Sequence, residues 1–268
     1  MTAKQRVIKY LALAFAVFLI VSFAVGIFEV LSSLLEMEVN KPVGTDYLYS
    51  YVVSDSVSEL KISVSAADLR ITTGDSFSIS TDNENVKCSE NGSVLSLSDK
   101  EKFNISHEGE IVVQLPPGKI FEKITLDAGA GEITVERLDA GKLSMNLGAG
   151  DFFADEMNIS SEAFIGCAAG EFTVKKGTLS NLEMDMAVGD VALYCTLKGN
   201  TEINCGIGDI DIRLPEALSE YRIEVDKGIC SATLDGKSME DEKAYGSGPS
   251  KIEIDGAVGD ISIKTNCR

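Results

Sequence analysis

Ile203-Asn204-Cys205-Gly206-Ile207-Gly208-Asp209-Ile210-Asp211-Ile212 reads as a strand, a glycine turn, an acid and a second strand. The phrase returns along the chain. Leu126 to Val135 is LDAGAGEITV, Met145 to Ala154 is MNLGAGDFFA and Ile165 to Val174 is IGCAAGEFTV. Met184 to Leu193 is MDMAVGDVAL and Ile254 to Ile263 is IDGAVGDISI. Ile62 to Ile71 (ISVSAADLRI) and Ile223 to Ala232 (IEVDKGICSA) read as weaker copies. With the turn glycine as position zero, the copies centre on Gly131, Gly150, Gly170, Gly189, Gly208, Gly228 and Gly259, and Ala67 takes the place of glycine in the first. From Gly131 onward the spacings are 19, 20, 19, 19, 20 and 31 residues. A steady period near 20 is the signature of a solenoid. The long last step implies an inserted loop, and the polar Asp235 to Pro249 fits one.

The columns set the geometry. Apolar residues recur five and three places before the turn (Met145 and Leu147, Met184 and Met186, Ile203 and Cys205) and two and four places after it (Phe152 and Ala154, Val191 and Leu193, Ile210 and Ile212). This alternation predicts two half-buried strands per coil. An antiparallel meander could use such strands. Repeats of equal length and pattern stack like on like, however, so the expected fold is an all-β parallel β-solenoid, right-handed, with about 20 residues per coil. Strands are also expected at 77–81, 94–98 and 111–115, separated by turns at 82–85 and 90–92, as a cap on its N-terminal end.

Cys167 and Cys205 share one inward column two rungs apart, roughly 9–10 Å, too far for a disulfide. They read as core residues, and the same alignment turns Cys230 inward. Cys88, Cys195 and Cys267 fall outside the inward columns and no pairing follows from sequence. No CxxC exists, which excludes a zinc ribbon.

Tyr10 to Phe28 carries no charge over 19 residues. At about 1.5 Å per residue it would span roughly 28 Å, close to a bilayer core. Lys4, Arg6 and Lys9 precede it, and Glu29, Glu36 and Glu38 follow. The positive-inside rule then puts the N-terminus in the cytoplasm and the rest outside. The competing reading is a cleaved signal peptide, with Ala24-Val25-Gly26 as the small-residue site. The expected organisation is a cytoplasmic tail (1–9), a transmembrane anchor (10–28), a juxtamembrane stalk (29–54) and an extracytoplasmic β-solenoid (55–268). After the first ten residues, 21 bases face 42 acids. Such a body repels phosphate backbones, so no nucleic-acid partner is expected.

The residue after the turn is Asp68, Glu132, Asp151, Glu171, Asp190, Asp209, Ile229 or Asp260. Stacked carboxylates about 5 Å apart repel. A Ca²⁺ on a ladder of Asp151, Glu171, Asp190 and Asp209 would relieve this, since calcium takes several oxygen ligands. The simpler role is to accept turn N–H groups and face water. The Gly-x-Gly turns lack the third glycine and following helix of a nucleotide loop, so their glycines read as corners. His107 has no nucleophile motif beside it. No catalytic or cofactor residue is therefore assigned, and no metal site beyond that one ladder.

The anchor, the repeated turn phrase and Ile111 to Pro117 (IVVQLPP) together resemble the bacterial β-strand-repeat family of unknown function whose members carry the label "putative adhesin". The match covers roughly 55–268. It implies a β-helix-like domain outside the bacterial cytoplasmic membrane and brings no catalytic residues. The expected function is a non-enzymatic binding or scaffold module, adhesin-like or tied to envelope stress, meeting an extracellular protein or glycan. The alternative is a carbohydrate-active β-helix enzyme. Against it, the outward residues of the second strand (Thr134, Phe153, Thr173, Ala192, Asp211) show no repeated acid–base set.

Overall fold

The computed structural model describes residues 49–99 and 109–267, apart from the Cys230 side chain. The anchor at 10–28 and His107 lie outside the described residues. Among the described residues no helix is long and apolar enough to cross a membrane.

The strands form a single parallel stack. Ile133–Ala149 pairs in parallel with Phe152–Ala169, setting Phe152 on Ile133, Ile165 on Met145 and Cys167 on Leu147. The next coils continue the register: Met184 on Ile165, Ile203 on Met184, and Ile254 on Ile203. Like residues therefore pile up along the axis, and the inward columns are buried, with Ala128 partly so. Phe152 and Phe172, neighbours in one column, stack with ring centroids 4.6 Å apart and planes 7° from parallel. Cys167 and Cys205 are buried core thiols on either side of Met186.

Four findings differ from the sequence expectation. First, the central coils have three strands, not two. A short third strand runs through 137–140, 156–159, Gly177–Ser180 and Thr196–Lys198. It buries Leu138, Met157, Leu179 and Leu197. The corner before it keeps its length over three coils, placing Ala140, Ile159 and Leu179 in one column, and is one residue shorter in the Thr196 coil, which shifts Leu197 by one place in sequence. Cys195 sits beside this strand and is buried, so it joins the core. Burial pushes its thiol up to about 12, which makes it a poor nucleophile.

Second, the copy at 223–232 is out of register by two residues. Cys230 pairs with Gly259, and Ile229 with Val258. Cys230 thus takes the corner position, not the inward one. Ser231 takes the acid position, Ala232 and Leu234 the inward ones, and Ile229 the place just before the corner.

Third, the order along the stack is not the order of the chain. Ser250–Lys264 inserts between the Gly208 coil and Tyr221–Leu234. At the other end Glu59–Ala66 lies between Val94–Asp99 and Ile120–Ala130. Each of these two strands is held on both edges, and later or earlier chain supplies the outer rung. The outer rungs are covered in turn. Val86–Asn91 and Ser78–Thr81 pair antiparallel with Val94–Asp99 and Glu110–Leu115. On the far rung Tyr245 bridges Ile223 and Glu242 N–H bonds the Val225 carbonyl, so the inserted loop is a cap. Open solenoid ends pair promiscuously, and both are closed here.

Fourth, 86–91 is a strand, where the sequence predicts a turn at 90–92. The true turn is Gly92-Ser93, with Gly92 at φ 60°. Within the segment read as stalk, Tyr49–Val52 pairs antiparallel with Ser78–Thr81 and extends the N-terminal cap.

Candidate functional site

The coils turn at one sharp edge whose backbone is nearly invariant. The corner glycines have φ between 124° and 149°. A β-carbon on Gly150, Gly170, Gly189 or Gly208 would lie 1.7–2.0 Å from the carbonyl oxygen of the corner glycine one rung away. Glycine is required on both counts.

The carboxylates after the corner hold the rungs together. Asp68, Asp151, Asp190 and Asp209 each accept, through Oδ1, the backbone N–H of the acid on the next rung, at 2.8–2.9 Å. Asp260 accepts the Ser231 hydroxyl at 2.6 Å. Of the four proposed ladder residues, Asp151, Asp190 and Asp209 accept and Glu171 donates its N–H. Among the described residues no group of three or more His, Cys, Asp or Glu is placed to hold a metal ion.

The position just before the corner was not singled out from sequence. Paired rung by rung, it reads Ala66, Ala130, Ala149, Ala169, Val188, Ile207, Val258, Ile229. It forms an unbroken apolar ridge along the outside of the edge. The first four members are alanines. In the last part Ile207 is 53%, Val258 45% and Ile229 85% exposed. The place before each is small, Ala187, Gly206, Ala257 or Gly228, so the ridge stands clear of the sheet. The two-residue slip had hidden Ile229 among the acids.

Carboxylates flank the large-residue half of the ridge on both sides. Asp190, Asp209 and Asp260 lie beyond the corner. Glu183, Asp185, Glu202, Glu224, Asp226, Glu253 and Asp255 lie on the outer face of the preceding strands. The same rungs hold Arg222, Lys227 and Lys251 before the corner and Arg213 and Lys264 beyond it, and the Lys227 ammonium bonds the Met239 carbonyl. Partial burial, then Asp226 and Glu202, raise the Asp255 carboxyl above its ordinary range. Where the column permits, the acids are bridged: the Asn204 amide donates to Asp185 at 2.9 Å, and Asn146 to Asp127 at 2.7 Å.

The next face is polar, and its side chains bond mostly to one another, with Asp211 Oδ1 left buried and without a hydrogen-bond partner. Asp211 Oδ2 accepts Tyr194 O–H at 3.0 Å and Arg213 Nη2 at 2.7 Å, and the guanidinium covers the Tyr194 ring at 4.2 Å. Lys175 covers the Phe153 ring at 4.3 Å. A cavity under the edge, lined by Ile133, Leu147, Gly148 and Asp151 among others, holds about 10 Å³, room for one water at most. What this edge offers is a surface, not a pocket.

Residues 106–264, more than half the chain, match the Toastrack DUF4097 family, and the chain belongs to that family. A search of curated proteins gives no match. Solved structures align over most of the chain at low identity. The "putative cell adhesion protein" from Clostridium sporogenes is 14% identical, with TM-score 0.37, over 81% of this chain and 98% of that one. The "putative adhesin" from Bacteroides fragilis is 13% identical, with TM-score 0.44, over 82% and 98%. The one from Parabacteroides merdae is 14% identical, with TM-score 0.41, over 79% and 94%.

Proposed function

We propose that the protein is a non-enzymatic binding module, tethered to the outer side of the bacterial cytoplasmic membrane, that engages a partner along its glycine edge. The observation that carries this is the ladder of half-buried Val188 and exposed Ile207, Val258 and Ile229. A soluble domain rarely leaves a continuous apolar line exposed unless something covers it. The stack does not require it, since alanine fills the same column in the other half. The uncharged Tyr10 to Phe28, with Lys4, Arg6 and Lys9 before it, supports the tether and its orientation.

A photo-crosslinking residue at Ile207, in the full chain in its cells, should give a discrete adduct. The same residue at Ala149 should give none. No adduct at Ile207, or equal adducts at both, would sink the binding-edge reading. A reporter fused after Lys264 checks the orientation, and activity in the cytoplasm would reverse it.

A further inference from the structure

We infer that the ligand of this edge is a basic amphipathic α-helix of a partner polypeptide, laid parallel to the solenoid axis. The inference rests on the binding-edge reading and adds shape and charge to it.

Shape comes from the rung spacing. Val188, Ile207, Val258 and Ile229 occupy four successive rungs. Rungs repeat at about 4.8 Å, so their side chains stand at roughly 0, 4.8, 9.6 and 14.4 Å along the axis. In a helix, residues i, i+3, i+7 and i+10 rise by roughly 0, 4.5, 10.5 and 15 Å and share one face. The two series agree within about 1 Å over the whole ladder. An extended strand laid the same way repeats its face about every 6.8 Å and falls out of step by the second rung. The small residues beside the ridge (Ala187, Gly206, Ala257, Gly228) leave room for the cylinder to settle against it.

Charge comes from the flanks. Ten flanking carboxylates against five bases on these rungs favour Lys or Arg on both sides of the apolar stripe. They oppose a second copy of this acidic chain and an anionic lipid surface alike. Asp255, whose carboxyl is raised first by partial burial and then by Asp226 and Glu202, gains from a nearby cation. In the alanine half the ridge gives a helix no side chain to pack on, which confines docking to the last four rungs.

The test uses the purified full chain in neutral detergent and three synthetic probes, each with a central photo-crosslinker. One places Leu at i, i+3, i+7 and i+10 with Lys elsewhere. The second holds the same residues in strict alternation. The third replaces its Lys with Glu. The first should bind and crosslink at 187–188, 206–207, 228–229 or 257–258. It should bind about tenfold more weakly to an Ile207→Ala, Val258→Ala variant. Alanine is native to this column, so that variant keeps its fold. Equal binding of the alternating or acidic probe, crosslinks elsewhere, or an unchanged affinity for the alanine variant would overturn the helix. A surviving in-cell adduct at Ile207 would then show that the edge binds something else.

Discussion

The two halves of the glycine edge share a backbone and differ in what they show to solvent. In the coils of Ala67, Gly131, Gly150 and Gly170 the ridge is Ala66, Ala130, Ala149 and Ala169. In the coils of Gly189, Gly208, Gly259 and Cys230 it is Val188, Ile207, Val258 and Ile229. Corner glycines and Asp-to-N–H bonds occur in both halves, Asp68 to Glu132 and Asp151 to Glu171 in one and Asp190 to Asp209 and Asp209 to Asp260 in the other. What both halves share is therefore needed for stacking. What only one half carries is free of that demand and open to a partner. The comparison separates fold from function within one repeat.

The glycine column is the shared part, and breaking it should have the largest effect. Gly189→Ala places a methyl 1.7 Å from the Gly170 carbonyl at φ 140°. The strained backbone and the forced separation of rungs should together cost at least about 3 kcal/mol, read as a fall in the urea midpoint. Ala67→Gly, at the row where alanine is native, should cost less than about 1 kcal/mol. Equal losses would show that the column is not what spaces the rungs.

The acid column comes next. Asp209→Ala orphans the Asp260 N–H and should cost about 1 kcal/mol. Asp209→Asn keeps a side-chain oxygen for that N–H and removes one charge from a crowded edge. It should stay within about 0.5 kcal/mol of the parent. If the two variants lose stability equally, the carboxylate charge matters and not its acceptor.

Ridge swaps should barely move stability. Ile207→Ala and Ala149→Ile each change an exposed side chain, so their urea midpoints should stay within about 0.5 kcal/mol of the parent. Helix binding should fall for the first and stay unchanged for the second, because Ala149 has alanines on the rungs either side. A ridge that proved structural would reverse this pattern.

How much of this was legible in the chain follows from the same contrast. The inward columns and corner glycines are dictated by stacking, repeat in most coils, and so could be read by alignment. The third strand could not be placed as readily, because its column holds over only three coils (Ala140, Ile159, Leu179) and the corner before Thr196 is one residue shorter. The rung order at the ends was hidden because sequence gives neighbours along the chain, whereas Ser250–Lys264 finds its neighbours by insertion. The ridge was present in the alignment one place before each glycine. Alanine there looked like ordinary corner packing, and the slip at Gly228 removed Ile229 from the column that would have exposed the gradient.

The finest difference between the halves is electrostatic. On the outer strand face, Gly166 interrupts the column in the alanine half, whereas Asp255 lies directly between Asn204 and Asp226 in the other. Partial burial, then Asp226 and Glu202, hold the Asp255 carboxyl above the ordinary range near about 3.9. The folded state then keeps a proton that the unfolded chain has lost. Between the ordinary pKa and the raised one the native state binds more protons, so stability falls as pH rises through that window. Below the window the penalty is absent, and above it the penalty is complete. Solvent screens so exposed a group, so the effect should be the smallest of those predicted here. Asp255→Asn should flatten this part of the profile of urea midpoint against pH and raise the midpoint at neutral pH. A docked basic helix should flatten it in the same way, since both remove the repulsion that Asp255 meets. If the asparagine variant keeps the parent's slope, the crowding resides in other carboxylates of this face.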